Sequence, residues 1–202
     1  FESENELTEE YAIRHVYPLS GFNILIAAYA ESIKSAKPLN IESFITGYCN
    51  QQYGFNAIES AKFWKAIKTT PYEILHGEVK SPSLLTVEQL LDSSKEALEI
   101  LYDLQPKKNK DEFEHYRLMT GIRANYLEFH YILQKVNSPE FTPAQKPAIL
   151  DELKNLMMNE TILDLHFLQL NKNFLYPGEL AEENDLRSIR LKLLYDRLSG
   201  NK

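Results

Sequence analysis

The sequence predicts an all-α protein, a multi-helix bundle of about seven helices. Apolar residues recur at helical spacing along most of the 202-residue chain, and no segment alternates apolar and polar residues convincingly. The 9 prolines and 7 glycines fall mainly between the periodic segments, where they end helices and form turns. Because this length is enough to bury a sizeable core, we expect a single helical domain over residues 1–202.

Signals at the helix ends set most of the predicted boundaries. Thr86 and Gln89 form a capping box, Gly54 stands where a left-handed C-terminal cap belongs, and Pro143 occupies a first helical position. The segment 72–85 is rich in turn residues and is a possible internal boundary. The predicted helices cover residues 20–36, 41–53, 57–69, 87–104, 110–136, 143–168 and 179–198.

The first predicted helix is apolar on nearly every side, a pattern typical of a buried helix. We therefore expect it to lie inside the core. The third predicted helix also presents an apolar row toward the core. The apolar residues of these two helices are Phe22, Ile24, Leu25, Ile26, Tyr29, Ile33, Ile58, Ala61, Phe63, Trp64 and Ile67.

Charge and composition exclude several classes of function. A net charge of −7 argues against a nucleic-acid partner, because phosphate binding needs clustered positive charge. The longest apolar run, residues 24–30, is far shorter than the roughly 20 residues that span a bilayer, so we predict no membrane span. Cys49 is the only cysteine, which excludes an internal disulfide and a cysteine zinc cluster.

No self-sufficient catalytic motif is present. The chain has neither a glycine-rich phosphate loop nor a Gly-x-Ser-x-Gly elbow. Glu73 with His76, and Glu112 with His115, have the Glu-x-x-His spacing of di-iron bundles. The first pair is confined between a proline and a glycine, and the second lies in a charged opening turn. Solvated surface pairs are the favoured interpretation, so we predict no metal site, no cofactor and no catalytic residue.

Aromatic residues cluster in the segment that runs from Tyr48 through Tyr53 and Trp64 to Tyr72. One interpretation is a platform on which a sugar ring or another domain stacks. The alternative is core packing, which we favour for Phe63 and Trp64, whereas tyrosines with solvated hydroxyl groups are the better interface candidates.

Two arginines on the long predicted helix, Arg117 and Arg123, stand among aromatic residues. They are candidates for binding a carboxylate, although an internal ion pair with a glutamate is the favoured alternative. Together with Tyr48, Tyr53, Trp64 and Tyr72, these two arginines form the set of candidate binding residues.

Three parts of the chain together resemble a known family. The last part contains a Leu-x-x-Asn-Lys phrase at residues 168–172. Their order is similar to the region that follows the catalytic barrel in bacterial exo-glycosidases, most nearly the β-N-acetylhexosaminidases of glycoside hydrolase family 20. The three parts are residues 17–29 with 39–44, residues 48–55 with 63–67, and residues 167–175 with 195–198.

The resemblance implies a non-catalytic helical C-terminal domain that supports a catalytic barrel or oligomerisation. The family's catalytic Asp–Glu pair and sugar-pocket tryptophans lie in the barrel, and nothing here matches them. The implied partners are the upstream catalytic domain, contacting the apolar surface near 22–29, and a second copy in a homodimer. A periplasmic or secreted bacterial protein of carbohydrate metabolism is implied as well.

Two features bear on that resemblance. The chain opens Phe-Glu-Ser rather than with Met, so we expect it to be part of a longer protein. Residues 29–32 read Tyr-Ala-Glu-Ser where the family has a tryptophan-bearing phrase, which is a departure from its pattern. The alternatives are a stand-alone helical glycan- or peptide-binding module and a free-standing metalloenzyme, and the few Glu-x-x-His pairs argue against the latter.

Overall fold

The computed structural model describes residues 23–34, 38–75 and 77–200, and it confirms the all-α prediction. Seven α-helices and one short hairpin make up the described part of the chain. A 3-10 turn, Pro143–Gln145, precedes α6. The elements are α1 Asn23–Lys34, α2 Ile41–Tyr53, α3 Ala57–Ile67, β1 Glu73–Leu75, β2 Glu78–Lys80, α4 Val87–Asp103, α5 Lys110–Asn137, α6 Lys146–Asn171 and α7 Pro177–Ser199.

Capping residues mark several of the helix ends. The predicted capping box at the start of α4 is confirmed, because Thr86 and Gln89 exchange side-chain to backbone hydrogen bonds. Asn56 and Glu59 form a second capping box at the start of α3. Gly54 has φ of 72° and ends α2 in the left-handed conformation, as predicted. These local hydrogen bonds satisfy backbone groups that a bare helix end leaves unpaired.

The segment 72–85 contains a structure that periodicity did not predict. Strands β1 and β2 pair antiparallel, with Ile74 opposite Val79. Each strand has only three residues, too few for alternation of apolar and polar side chains to show in a sequence. The hairpin packs onto the bundle through Ile74, which is buried, and Val79, which contacts buried residues of α4 and α5.

From α2 to α7 each helix packs against the next one in the chain, and the long helix α5 packs against both α4 and α6. Two clusters of buried side chains matter for function. The aromatic core is built mainly from α2, α3 and the start of α5, and the aliphatic core from the end of α5 with α6 and α7. The aromatic core has six buried rings, Tyr48, Tyr53, Phe55, Phe63, Phe113 and Tyr116. The buried residues of the aliphatic core are Phe129, Ile132, Ile149, Leu153, Leu156, Leu191 and Leu194.

The expectation that the first helix is buried is wrong for its described residues. Only Ile24 of α1 is buried, and four large apolar side chains of α1 are 55–70% exposed. Ile58 of α3, expected to face the core, is 73% exposed as well. Residues 20–22 and 35–36 of the predicted helix lie outside the described residues. The exposed side chains of α1 are Leu25, Ile26, Tyr29 and Ile33.

Within the described ranges, no helix is long and apolar enough to cross a membrane.

Candidate functional site

A cavity of about 740 Å³ lies beside the aromatic core. Its walls come from α1, α2, α3 and α5, together with the chain that follows α3. The volume falls within the roughly 300–1,000 Å³ that small-molecule sites occupy. Its lining is formed by Ile24, Leu25, Ala28, Leu39, Ile41, Phe44, Ile45, Trp64, Ile67, Lys68, Thr69, Tyr72, Tyr116, Met119, Thr120 and Arg123.

Three of the predicted binding residues meet in this cavity: Trp64, Tyr72 and Arg123. They come from α3, from the segment before β1, and from α5, so sequence distance concealed their proximity. Trp64 is the only tryptophan of the chain. It is half-buried and packs against the aromatic core from the cavity side.

Arg123 is held firmly in the cavity wall. Its Nε donates to Ser94 Oγ at 3.0 Å, and its Nη2 donates to the carbonyl oxygen of Thr70 at 2.5 Å. The guanidinium carbon lies 4.5 Å from the ring centroid of Tyr72, a cation–π contact. Burial raises the pKa of Tyr72, while the positive charge of Arg123 acts to lower it. The guanidinium is therefore fixed in the cavity wall.

Tyr48 and Tyr53, also predicted to bind, lie in the aromatic core and do not line the cavity. Both hydroxyl groups donate to Glu112 Oε1, Tyr53 at 2.8 Å and Tyr48 at 3.2 Å. Burial raises the pKa of both hydroxyl groups. Tyr53 is fully buried, so it is not available to stack against a ligand from solvent.

Arg117 supports the fold around the end of α4. Its guanidinium donates to the carbonyl oxygens of Leu101 and Leu104, at 3.1 and 2.7 Å. It also pairs with Glu114 at 2.5 Å, one turn away on α5. This is the internal ion pair that the sequence favoured over a ligand site. The guanidinium caps carbonyl groups at the end of α4 that the helix itself leaves unpaired.

The Glu-x-x-His pairs do not form a metal centre in the described residues. Glu112 accepts hydrogen bonds from two tyrosines, and His115 is buried beside it on α5. Burial lowers the pKa of His115. His76, the partner of Glu73 in the other predicted pair, lies outside the described residues. Across the described ranges, no group of three or more His, Cys, Asp or Glu residues is placed to hold a metal ion.

Sequence reasoning missed a polar network that joins α5, α6 and α7, formed by Asn125, Glu160, Asp164 and Arg187. The Arg187 side chain is buried and lies 3.3 Å from Glu160 and 3.0 Å from Asp164. Asn125 Nδ2 donates to Glu160 at 2.5 Å. Burial raises the pKa of both carboxyl groups, and Arg187 opposes that rise.

The signal for this network was the four-residue spacing of Glu160 and Asp164, which places both on one helix face. Neither residue lines the cavity. Since Arg187 and Asn125 neutralise and bond the carboxylates, we interpret the network as a structural device that joins α5, α6 and α7.

Comparisons with protein-family models, curated proteins and solved structures find no match to this chain.

Proposed function

We propose that this chain is a non-catalytic helical domain that packs, through α1, against the catalytic domain of a carbohydrate-active hydrolase similar to the β-N-acetylhexosaminidases. The observation that carries the proposal is the apolar surface of α1. Leu25, Ile26, Tyr29 and Ile33 are all more than half exposed. Exposed apolar patches of this kind mark surfaces that pack against other proteins or domains.

The small amount of buried surface on α1 supports this interpretation. The helix has 12 residues, and only Ile24 is buried. Isolated helices of this length are marginal in water, so their stability comes mainly from packing an apolar face. A neighbouring domain that covers Ile26 and Ile33 would supply that packing. Because these two residues are seven apart, they lie on one face.

The hydrolase part of the proposal rests on the sequence resemblance. The absence of a catalytic motif in the sequence is consistent with a supporting role, since the family's chemistry belongs to its barrel. A periplasmic or secreted location, and a contact between two copies, belong to the same proposal.

The first experiment is the mass of the native product in its source cells, measured with an antibody against this chain. We expect a band well above 23.5 kDa, the mass of the chain itself. The upstream part of that product should then hydrolyse a chromogenic N-acetylhexosaminide. A native band at 23.5 kDa would contradict the proposal.

Variants of the longer protein test the surface itself. Ile26→Glu with Ile33→Glu should expose the connection between the domains to limited proteolysis and lower the thermal stability of the catalytic domain. The matched control is Ile162→Glu with Leu165→Glu on α6, since both residues are more than 60% exposed. Equal proteolysis of the two double variants would show that α1 is not the docking face.

A second candidate function, a stand-alone glycan- or peptide-binding module, is favoured by a different observation. Trp64, Tyr72 and Arg123 line one cavity, and aromatic rings beside a cation suit the recognition of such ligands. The test is a panel of oligosaccharides and peptides titrated against the fluorescence of Trp64. A response to one class, combined with a native mass of 23.5 kDa, would replace the docking proposal.

A further inference from the structure

Helix α6 carries an exposed apolar stripe that belongs to none of the buried clusters. The helix packs against α5 and α7, and the members of the stripe are still 43–66% exposed. They follow one another at intervals of three or four residues, so they lie on one side of the helix. Exposed apolar surface of this kind marks protein interaction sites. The members are Met158, Ile162, Leu165 and Leu168.

Two opposite charges mark the ends of the stripe. Asp151 precedes Met158 by seven residues, and Lys172 follows Leu165 by seven. Residues seven apart lie on one face of a helix, so both charges are in line with the stripe. Lys172 keeps helical backbone angles, with φ of −54° and ψ of −21°. Both charged residues are exposed. The line therefore reads anion, apolar, apolar, cation.

This order is its own complement when a second copy of the helix runs in the opposite direction. About a two-fold axis between residues 161 and 162, Asp151 faces Lys172 of the partner subunit. Met158 then faces Leu165 of the partner subunit, and the same two contacts repeat on the other side of the axis. In a parallel pair, by contrast, the two copies of Lys172 would face each other and repel.

We propose that two copies of this chain associate through α6, antiparallel, about a two-fold axis near Ile162. The proposed function includes a contact between two copies, and this inference rests on that part of it and names the surface. Because both copies use the same stripe, the contact closes at a dimer. One helix face is small for a specific interface, so we expect a dissociation constant roughly in the micromolar range.

Asp151 has an additional partner within its own helix. Lys154 lies 3.5 Å from its carboxylate, and both side chains are more than half exposed. Water and salt screen such a pair, so it contributes little. A carboxylate has two oxygens that accept hydrogen bonds. Asp151 can therefore also receive Lys172 of the partner subunit.

The mass of the assembly in solution is the first test. Sedimentation equilibrium over a dilution series should show twice the mass of one chain at high concentration and the mass of one chain after dilution. For this chain the single mass is 23.5 kDa, and the same ratio is expected for the longer protein. A single mass at every concentration would overturn the proposal.

Ile162→Glu with Leu165→Glu brings four carboxylates into the contact, two from each copy. We expect the dimer to weaken more than about a hundredfold. Both residues are more than 60% exposed, so the fold should be kept, and circular dichroism checks this. The matched control is Ile26→Glu with Ile33→Glu on α1, which should leave the dimer unchanged. Equal weakening by both double variants would overturn the assignment to α6.

The same two double variants, made in the longer protein, separate this inference from docking through α1. Failure of docking exposes the connection between the domains to proteolysis and leaves the mass unchanged. Failure of the α6 contact halves the mass and leaves the connection protected.

Charge reversal tests the antiparallel direction. Asp151→Lys should weaken the dimer about tenfold at low salt, because two cations then meet at each end of the contact. Adding Lys172→Asp to the same chain should restore the affinity, since each end again pairs opposite charges. The matched control is Asp92→Lys, the same change at an exposed residue of α4. If Asp151→Lys behaves as Asp92→Lys does, the antiparallel pairing is overturned.

Cysteine cross-linking locates the two-fold axis, because Cys49, the only natural cysteine, is buried. Ile162→Cys lies beside its own copy across the axis and should form a covalent dimer under mild oxidation. Asn155→Cys is the control on the same exposed face. Its two copies would be about 20 Å apart along the helix, at 1.5 Å per residue, so they should not join. Cross-linking of both variants would show a parallel pair and overturn the proposal.

Discussion

Six buried aromatic rings fill the aromatic core, whereas the aliphatic core is built mainly from leucine and isoleucine side chains of α5, α6 and α7. The ring centroids of the aromatic core lie 5.1 to 6.4 Å apart, in tilted and edge-on arrangements. The large cavity borders the aromatic core. The charged polar network joins α5, α6 and α7.

The two cores differ in how their buried polar atoms obtain hydrogen-bond partners. In the aromatic core, Tyr53 and Tyr48 place their hydroxyl groups around Glu112, so rings and hydrogen bonds come from the same side chains. Beside the aliphatic core, leucine and isoleucine offer no hydrogen bonds. The charges of Arg187 and Glu160 must therefore satisfy each other.

The largest predicted effect is at Arg187. Arg187→Met leaves the buried Glu160 and the partly buried Asp164 without their cation, so we expect the free energy of unfolding at pH 7 to fall by about 3–5 kcal/mol. Urea denaturation followed by circular dichroism measures this loss. Glu160 already has a raised pKa because of burial, and removal of Arg187 raises it further. The loss should therefore shrink toward acidic pH, where the unpaired carboxyl group takes up a proton.

A double variant determines whether the network is needed for stability. Arg187→Met with Glu160→Met removes both charges and keeps apolar volume, so it should recover most of the stability that the single variant loses. If the double variant is no more stable than Arg187→Met, then the uncompensated charge of Glu160 is not the cause of the loss.

The next largest predicted effect on the free energy of unfolding is at His130, and it depends on pH. Burial lowers its pKa to about 4, and the nearby Arg190 lowers it as well. A histidine with a lowered folded-state pKa stabilises the protein fully above its unfolded pKa of about 6.5, and this contribution is lost as the pH falls toward 4. Between pH 7 and pH 5 the loss from His130 amounts to about 2 kcal/mol.

His130→Phe should remove that part of the pH dependence. The ring of His130 packs between Tyr126 and Phe129, so phenylalanine keeps the aromatic contacts. Unfolding free energies at pH 7 and pH 5 are compared for both proteins, and the unaltered protein should lose about 2 kcal/mol more than the variant. His115 and His166 also have lowered pKa values and are shared by both proteins. Parallel pH profiles would show that the pKa of His130 is not lowered in the folded protein.

A smaller effect is expected in the aromatic core. Tyr53→Phe removes the 2.8 Å hydrogen bond to Glu112 and keeps the ring. We expect a loss of about 1.5 kcal/mol, the lower end for hydrogen bonds to charged groups, because Tyr48 still donates to the same oxygen. Tyr48→Phe is the matched control, and its longer 3.2 Å bond should make its loss smaller. A larger loss for Tyr48→Phe would contradict this ranking.

The sequence predicted the features that depend on residues close together in the chain. Thr86 with Gln89 and Gly54 marked helix ends correctly, because caps depend on neighbours a few residues away. It did not predict the exposure of Ile26 and Ile33, since a pattern shows which face is apolar but not whether anything covers it. For the same reason it grouped Tyr53 with Trp64, although only Trp64 lines the cavity.

Contacts between distant segments account for the other missed features. Arg187 is 27 residues from Glu160 and Arg123 is 53 residues from Thr70, distances over which no spacing rule applies. The hairpin that contains Ile74 and Val79 was missed because its strands are too short to show a period.

The smallest predicted effect is at Lys65, whose ion pair with Glu96 joins α3 to α4 at 2.6 Å. This pair is shorter than the 3.3 Å contact of Arg187 with Glu160. Both of its side chains are more than half exposed, however, so water and salt screen the attraction. We expect Lys65→Gln to lower the unfolding free energy by about 0.5 kcal/mol or less, and this difference from the unaltered protein should shrink in 1 M salt. A loss comparable to that of Arg187→Met would show that distance, rather than burial, determines what an ion pair contributes here.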